Sequence, residues 1–410
     1  MIRGVGHGHG HAHVKGENHV GATPVGRRSR AVLLVFLALA GVATLIGLGT
    51  LWPDRAAVDE LREGATLSAP GVTYPTGTVV RLEPCPPTDS PGGAQCGLLS
   101  ATTTEGTVVT FQVPPAVATS GLEPGDPIRM MRVPDVPTED AYSLYSVERQ
   151  QPLGWLTLGF VLVVVVVARM RGVRALIGLG VSAAIIGGFM LPALLSGHSG
   201  VGVALVGASA IMFTVLYLTH GLNLRTSAAL AGTLIGIGIT ATLGWWSVHD
   251  TRLTGVVDDG GQVLQGQTPG LDFQGLLICA VIIAGLGILN DVTITQASSV
   301  WELRAAGPEL SRLEVFRSAM RIGRDHIAST IYTMTFAYTG AALTTLMLVY
   351  VFAQPLLQLV SAEEIAQEIV HTLVSGIGLV LAVPVTTAIA ALTVAGGSTG
   401  RRVDNGSHLA

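Results

Sequence analysis

The sequence predicts a polytopic α-helical membrane protein of about eight transmembrane helices, with a small extracytoplasmic β domain. Three observations predict it. Of 410 residues, 49% are hydrophobic and only 12% are charged, against about 25% charged in soluble chains, and mean hydropathy is +0.56. Apolar stretches occur at 31–52, 153–169, 174–195, 200–219, 226–247, 273–297, 327–352 and 369–394, most of them near the roughly 20 residues that cross a bilayer. Basic residues crowd alternate loops between these stretches. The net charge of −4 gives no basic field for nucleic acid.

Residues 1–30 read as a disordered, His-rich cytoplasmic tail, 31–52 as a transmembrane anchor and 53–150 as the extracytoplasmic β domain. A seven-helix membrane domain follows over 151–395, and 396–410 form a second cytoplasmic tail. The first apolar stretch is too long for a signal-peptide core, and no A-x-A site follows it before Trp52-Pro53. The second is the shortest, and Arg169 can snorkel at its end.

Basic residues near span ends set the orientation. Arg27, Arg28 and Arg30 precede span one; Arg169, Arg171 and Arg174 separate spans two and three; Arg225 follows span four. Arg304, Arg312, Arg317, Arg321 and Arg324 lie between spans six and seven, and Arg401 and Arg402 end the chain. The opposite loops hold only Arg252 (248–272) or no basic residue (353–368). Eight crossings with both termini in the cytoplasm place every basic cluster inside.

In 53–150, the alternating runs Thr78–Leu82, Thr107–Phe111 and Ile128–Val133, with the turn Gly125-Asp126-Pro127, predict a small barrel or sandwich. Tyr74, Phe111, Tyr142 and Tyr145 read as its core. Cys85 and Cys96 are expected to pair across an exported Pro/Gly-rich loop, since oxidising compartments favour disulfides; the other reading is two free thiols. His7, His9, His11 and His13 alternate with Gly and Ala, and spaced imidazoles can bind Zn²⁺ or Ni²⁺ weakly. The plainer reading is a disordered tail with no cofactor.

Span six ends in Asn290-Asp291, followed by Thr293, Thr295, Gln296, Ser298 and Ser299. A carboxylate at membrane depth costs roughly 2.5–3.5 kcal/mol on insertion scales, so such groups usually face a bundle interior or a wet path. Helical spacing places Ala280, Ala284, Gly287, Asp291, Thr295 and Ser298 on one small, polar face, the character of a helix–helix interface. Asp291 lies about 27 Å along the helix from Phe273, nearer the cytoplasmic side than the centre. Asp291, Asn290, Thr295 and, across in hydroxyl-rich span seven, Thr333 are the candidate ion- or proton-handling residues. The competing reading is a carboxylate that snorkels to the inner headgroups. His220 and His371 can titrate near neutral pH and read as interfacial. Pro384 permits a kink in span eight.

Between spans six and seven, Gly307-Pro308 breaks the chain and Ser311-x-x-Glu314 reads as a capping box. Leu313, Phe316 and Met320 oppose Arg312, Arg317, Arg321 and Arg324, which predicts a separate amphipathic helix on the inner membrane face. No nucleophile–base pair, HExxH or phosphate-binding loop occurs, so no enzyme is expected.

The segments GLGILNDVTITQASSVWEL (285–303), VFRSAMRIGRDHIASTIYTMTFAYTGAAL (315–343) and EEIAQEIVHTLVSGIGLVLAVPVTTAIAA (363–391) resemble the YibE/F-like family of bacterial integral membrane proteins over about 150–395. The resemblance implies a plasma-membrane location and no particular activity. Spans six to eight are also similar to the last three helices of one half of SecD/SecF and RND exporters, where Asp291 matches the acidic position. Two extra spans, a smaller outer domain and the off-centre Asp depart from that pattern.

These features lead to a secondary transporter or export-assisting protein with proton coupling. The alternative is a non-transporting scaffold or sensor whose β domain binds an envelope partner. The partners expected are the lipid bilayer, an unidentified transported substrate or envelope protein, and a further copy of the chain.

Overall fold

The structure is a computed structural model and describes residues 27–64, 71–84, 97–137, 141–268, 270–353 and 355–394. In chain order its elements are α1 (Arg27–Thr50), α2 (Arg55–Gly64), β1 (Thr76–Pro84), β2 (Gly97–Thr103), β3 (Val108–Val113), α3 (Pro115–Ala118), β4 (Pro127–Arg132) and β5 (Tyr142–Val147). Then come α4 (Gln150–Ile185), a π-helical turn (Ile186–Met190), α5 (Leu191–Leu195), α6 (Gly200–His220), α7 (Leu224–Asp250) and α8 (Asp259–Gln267). The last are α9 (Phe273–Ala306), α10 (Arg312–Ala341), α11 (Leu343–Phe352), α12 (Leu356–Ser361) and α13 (Glu363–Thr393). They form two compact units.

The first unit comprises Trp52–His198 and Asp258–Leu271. Its sheet is antiparallel throughout, in the order β3-β2-β1-β4-β5. Edge strands β3 and β5 approach each other, so the sheet curls into a half-barrel. Period-2 burial explains the strands: Val109, Phe111 and Val113 point inward from β3 and meet Val79, Leu99, Ala101, Ile128 and Met130. The three expected strands form. β2 and β5 were not expected, because the Gly, Ala, Ser and Thr residues of β2 and the two serines of β5 weaken the alternation. Phe111 is core as expected, whereas Tyr145 is exposed and meets the Tyr74 ring at a tilt of 58°, centroids 4.6 Å apart. Cys85 and Cys96 lie outside the described residues.

Helix α4 is not one straight rod. Arg169 takes φ 53°, ψ −135°, so two helices run together across a kink. A Cβ added at Gly172 would lie 2.5 Å from the Val164 carbonyl oxygen. Eight residues of straight helix would hold these groups about 12 Å apart, so the chain folds back at Arg169.

The second unit comprises the described residues of Met1–Leu51, Ser199–Val257 and Asp272–Ala410. Helices α7, α9 and α13 pack against one another. α6 lies on α7 and α9, α10 on α9 and α13, and α1 on α6, α7 and α13. Small residues set these distances. A Cβ at Gly232 would strike Thr386 of α13, and one at Gly236 would come within 3.0 Å of Leu289 and 3.2 Å of Ala382.

Among the described residues, six helices or helical runs are long and apolar enough to cross a membrane, or seven if the bent pair α10–α11 counts as one span. The expected second and third spans fall within the single run Gln150–Leu195, broken at Arg169. The expected separate amphipathic helix is also corrected. Its polar residues and those of span seven form the one helix α10, which begins at the Ser311–Glu314 capping box and runs unbroken to Ala341. The fall in polarity along α10 changes what the helix can lie against. It supplies no Pro or capping group that would end it. α11 then departs at 66°.

Candidate functional site

Helix α9 starts at Asp272, whose carboxylate accepts the Gly275 N–H at 2.9 Å. It buries Ile278, Val281, Ile282, Gly285, Leu289, Val292, Gln296 and Val300. This reverses the expected orientation: Ala280, Ala284, Gly287 and Asp291 form an exposed face. The large apolar side chains fill the gaps between α7 and α13 better than the small stripe can.

The Asp291 side chain is 73% exposed, and its Oδ2 lies 3.7 Å from Nε2 of His326 on α10. That distance is too long for a hydrogen bond and suits an ionic contact when the imidazole is protonated. The Asn290 Oδ1 is buried without a partner. The Thr295 hydroxyl donates to the Asp291 carbonyl at 2.7 Å. Thr333 does not reach α9: it is exposed and donates to the Ser329 carbonyl one turn back at 3.1 Å. The structure therefore brings Asp291 to His326, a residue that the sequence did not single out. The two lie 35 positions apart on different helices, and no periodicity links them.

A second set of polar groups is buried between helices. The Thr233 and Thr293 hydroxyls meet at 2.6 Å. The fully buried Gln296 accepts from the Thr387 hydroxyl at 3.0 Å, while its Nε2 has no partner. Gly323 lets α10 approach this amide: a Cβ there would lie 2.9 Å from Nε2. Gln296 was visible in an apolar span; its partner Thr387 was not.

At the other end of the bundle, Glu363 accepts from the Thr254 N–H at 2.5 Å, the Thr254 hydroxyl at 2.6 Å and the Gly255 N–H at 3.1 Å. Glu364 accepts from Thr345 at 2.9 Å. His371 is half-buried and meets the edge of Tyr338, with ring centroids 6.3 Å apart. This places it within the α10–α13 contact.

His7, His9, His11 and His13 lie outside the described residues, and among the described residues no group of three or more His, Cys, Asp or Glu could hold a metal.

Several apolar helices around a polar-lined junction define a multi-pass helical membrane protein. The chain belongs to the YibE/F-like protein family, which matches residues 156–396. No curated protein and no solved structure matches it.

Proposed function

We propose that the protein is a secondary transporter or export-assisting protein of the bacterial plasma membrane, coupled to the proton gradient. Asp291 and His326 form its inner proton-handling pair, and no enzymatic step is assigned. The observation that carries this reading is the carboxylate–imidazole contact at 3.7 Å between α9 and α10. A carboxylate and an imidazole are both proton acceptors, so such a pair can hold one proton between them. Gain or loss of that proton switches an attraction between the two helices on or off.

The fold-back at Arg169 supports two crossings in Gln150–Leu195. With α1, α6, α7, α9, the α10–α11 pair and α13, this gives eight crossings. The arginine distribution then puts both termini in the cytoplasm and the five-stranded sheet outside. A cysteine introduced at Ser100 should react with an impermeant maleimide on intact cells, and one at Arg321 only after permeabilisation. The reverse pattern would overturn this topology.

Transport itself is tested in proteoliposomes that hold a pH-sensitive dye, scanned against candidate solutes. A solute that dissipates a pH gradient only when the protein is present supports the reading. The alternative scaffold or sensor, working through its outer half-barrel, predicts no flux for any solute.

A further inference from the structure

Helix α13 carries Glu364, Glu368, His371 and Ser375 at spacings of four, three and four residues, which is one line along a helix. The line faces α10 and α11. Thr345 of α11 bonds Glu364, and Tyr338 of α10 meets His371. Between them runs a groove of about 270 Å³ whose polar lining is Glu368 and Thr372 on one side and Thr335, Tyr338 and Thr339 on the other, the rest being apolar side chains such as Leu346 and Ile369. It has room for several waters.

On this stretch of α13, Gln367 Oε1 and His371 Nε2 are buried without partners. Ser375 is 2% exposed and its hydroxyl is within hydrogen-bonding reach of the Tyr338 phenol. A group that only stabilised the fold would be paired. No ion pair among the described residues includes Glu364, Glu368 or His371.

One turn deeper the polarity ends. Val292, Met334, Leu379 and Val383 form a cluster with each member at most 3% exposed, and Tyr338 packs against it on this side. From His371 to Val383 is about 18 Å along α13 at ~1.5 Å per residue. Val292 directly follows Asp291 in α9, and Ile327, which also packs on the cluster, directly follows His326 in α10. The apolar cluster therefore separates two titratable groups.

We infer that Glu368, His371 and Tyr338 form a second proton-binding site, and that the Val292–Met334–Leu379–Val383 cluster is the closed barrier between it and Asp291–His326. The inference rests on the proton-coupled reading above and adds its other half. A proton is the ligand because carboxylate, imidazole, phenol and hydroxyl all bind one, while a single carboxylate beside an imidazole is a poor cage for a metal cation. The titratable neighbour of the site is Glu364, one turn away on α13. At the level of Ser375, α9 and α7 present Gly285 and Thr240, which do not titrate.

The test needs no substrate. Full-length protein is placed in liposomes with a trapped pH dye, and a pH step is imposed. Wild type should leak slowly. Met334→Ser and Leu379→Ser, which hydrate the barrier, should leak several-fold faster. Adding Glu368→Gln or His371→Ala to either should return the leak to near the wild-type rate. Folded barrier variants that do not leak, or a leak that ignores Glu368 and His371, would overturn the inference.

Wild type gives a second measurement should the barrier variants fold poorly. Dicyclohexylcarbodiimide modifies protonated carboxyls in apolar surroundings. It should label Glu368, and more at about pH 6 than at about pH 8, because apolar surroundings favour the neutral carboxyl. Absence of labelling, or labelling indifferent to pH, would count against the site. A leak that needs Glu368 and His371, alongside normal solute flux in Asp291→Asn, would keep this site and remove only the role given to Asp291.

Discussion

Asp291→Asn is expected to abolish pH-gradient-driven flux while leaving expression and thermal unfolding at wild-type levels. The structure makes this a clean substitution. The side chain is 73% exposed, and among the described residues its ion-pair partner is His326. Asn keeps size and hydrogen-bonding capacity and removes only the titrating group. Exposed substitutions away from caps and cavities usually change stability by within about 0.5 kcal/mol. A lost activity would therefore report lost chemistry. Flux in proteoliposomes and a melting curve on the same preparation check the two halves. His326→Ala should impair flux as well, because the shared proton loses its second acceptor. Near-normal flux in Asp291→Asn would identify the carboxylate as one that merely reaches water beside the arginine-rich start of α10.

The largest loss of stability is expected from Gly200→Ala. Gly200 opens α6, and an added methyl would strike the Gly275 backbone: its Cα, carbonyl carbon and oxygen. Backbone cannot rotate away as a side chain does, so α6 and α9 must part. The Asp272 cap on Gly275 lies at the same contact. Overpacking typically costs 1–3 kcal/mol, and a backbone clash belongs at about the upper end of that range. Gly238→Ala is the control: nothing lies within 4 Å of its added Cβ, and it should match or slightly exceed wild type because Ala favours helix over Gly by about 1 kcal/mol. Thermal unfolding of both variants in one detergent or nanodisc system measures the difference. Equal melting points would disprove the close α6–α9 approach.

Local features of this chain were legible in the sequence. The capping box at Ser311–Glu314 appears as expected because both partners lie within four residues and bond each other's backbone. The break at Gly307-Pro308 and the strands around Val79, Val109 and Met130 follow from local backbone preference and period-2 burial. Helical runs of span length follow from composition alone, because hydropathy sums over neighbours in the chain.

Which way each helix turns was another matter. The small face of α9 reads as an interface, yet the structure exposes it and buries Leu289, Val292 and Gln296. Both faces are apolar enough for a bilayer, so only the shapes of α7 and α13 decide between them. Thr333 failed for a related reason: a hydroxyl on a helix can satisfy itself on its own backbone, as it does at Ser329, and needs no partner. By itself the sequence determined the apolar helical runs, a small β sheet and the presence of a carboxylate near the end of one run. The tertiary structure alone decided that Asp291 meets His326, that Gln296 meets Thr387, and that Val292, Met334, Leu379 and Val383 close into one apolar cluster. These pairings join residues dozens of positions apart, where packing sets the geometry and no sequence period records it.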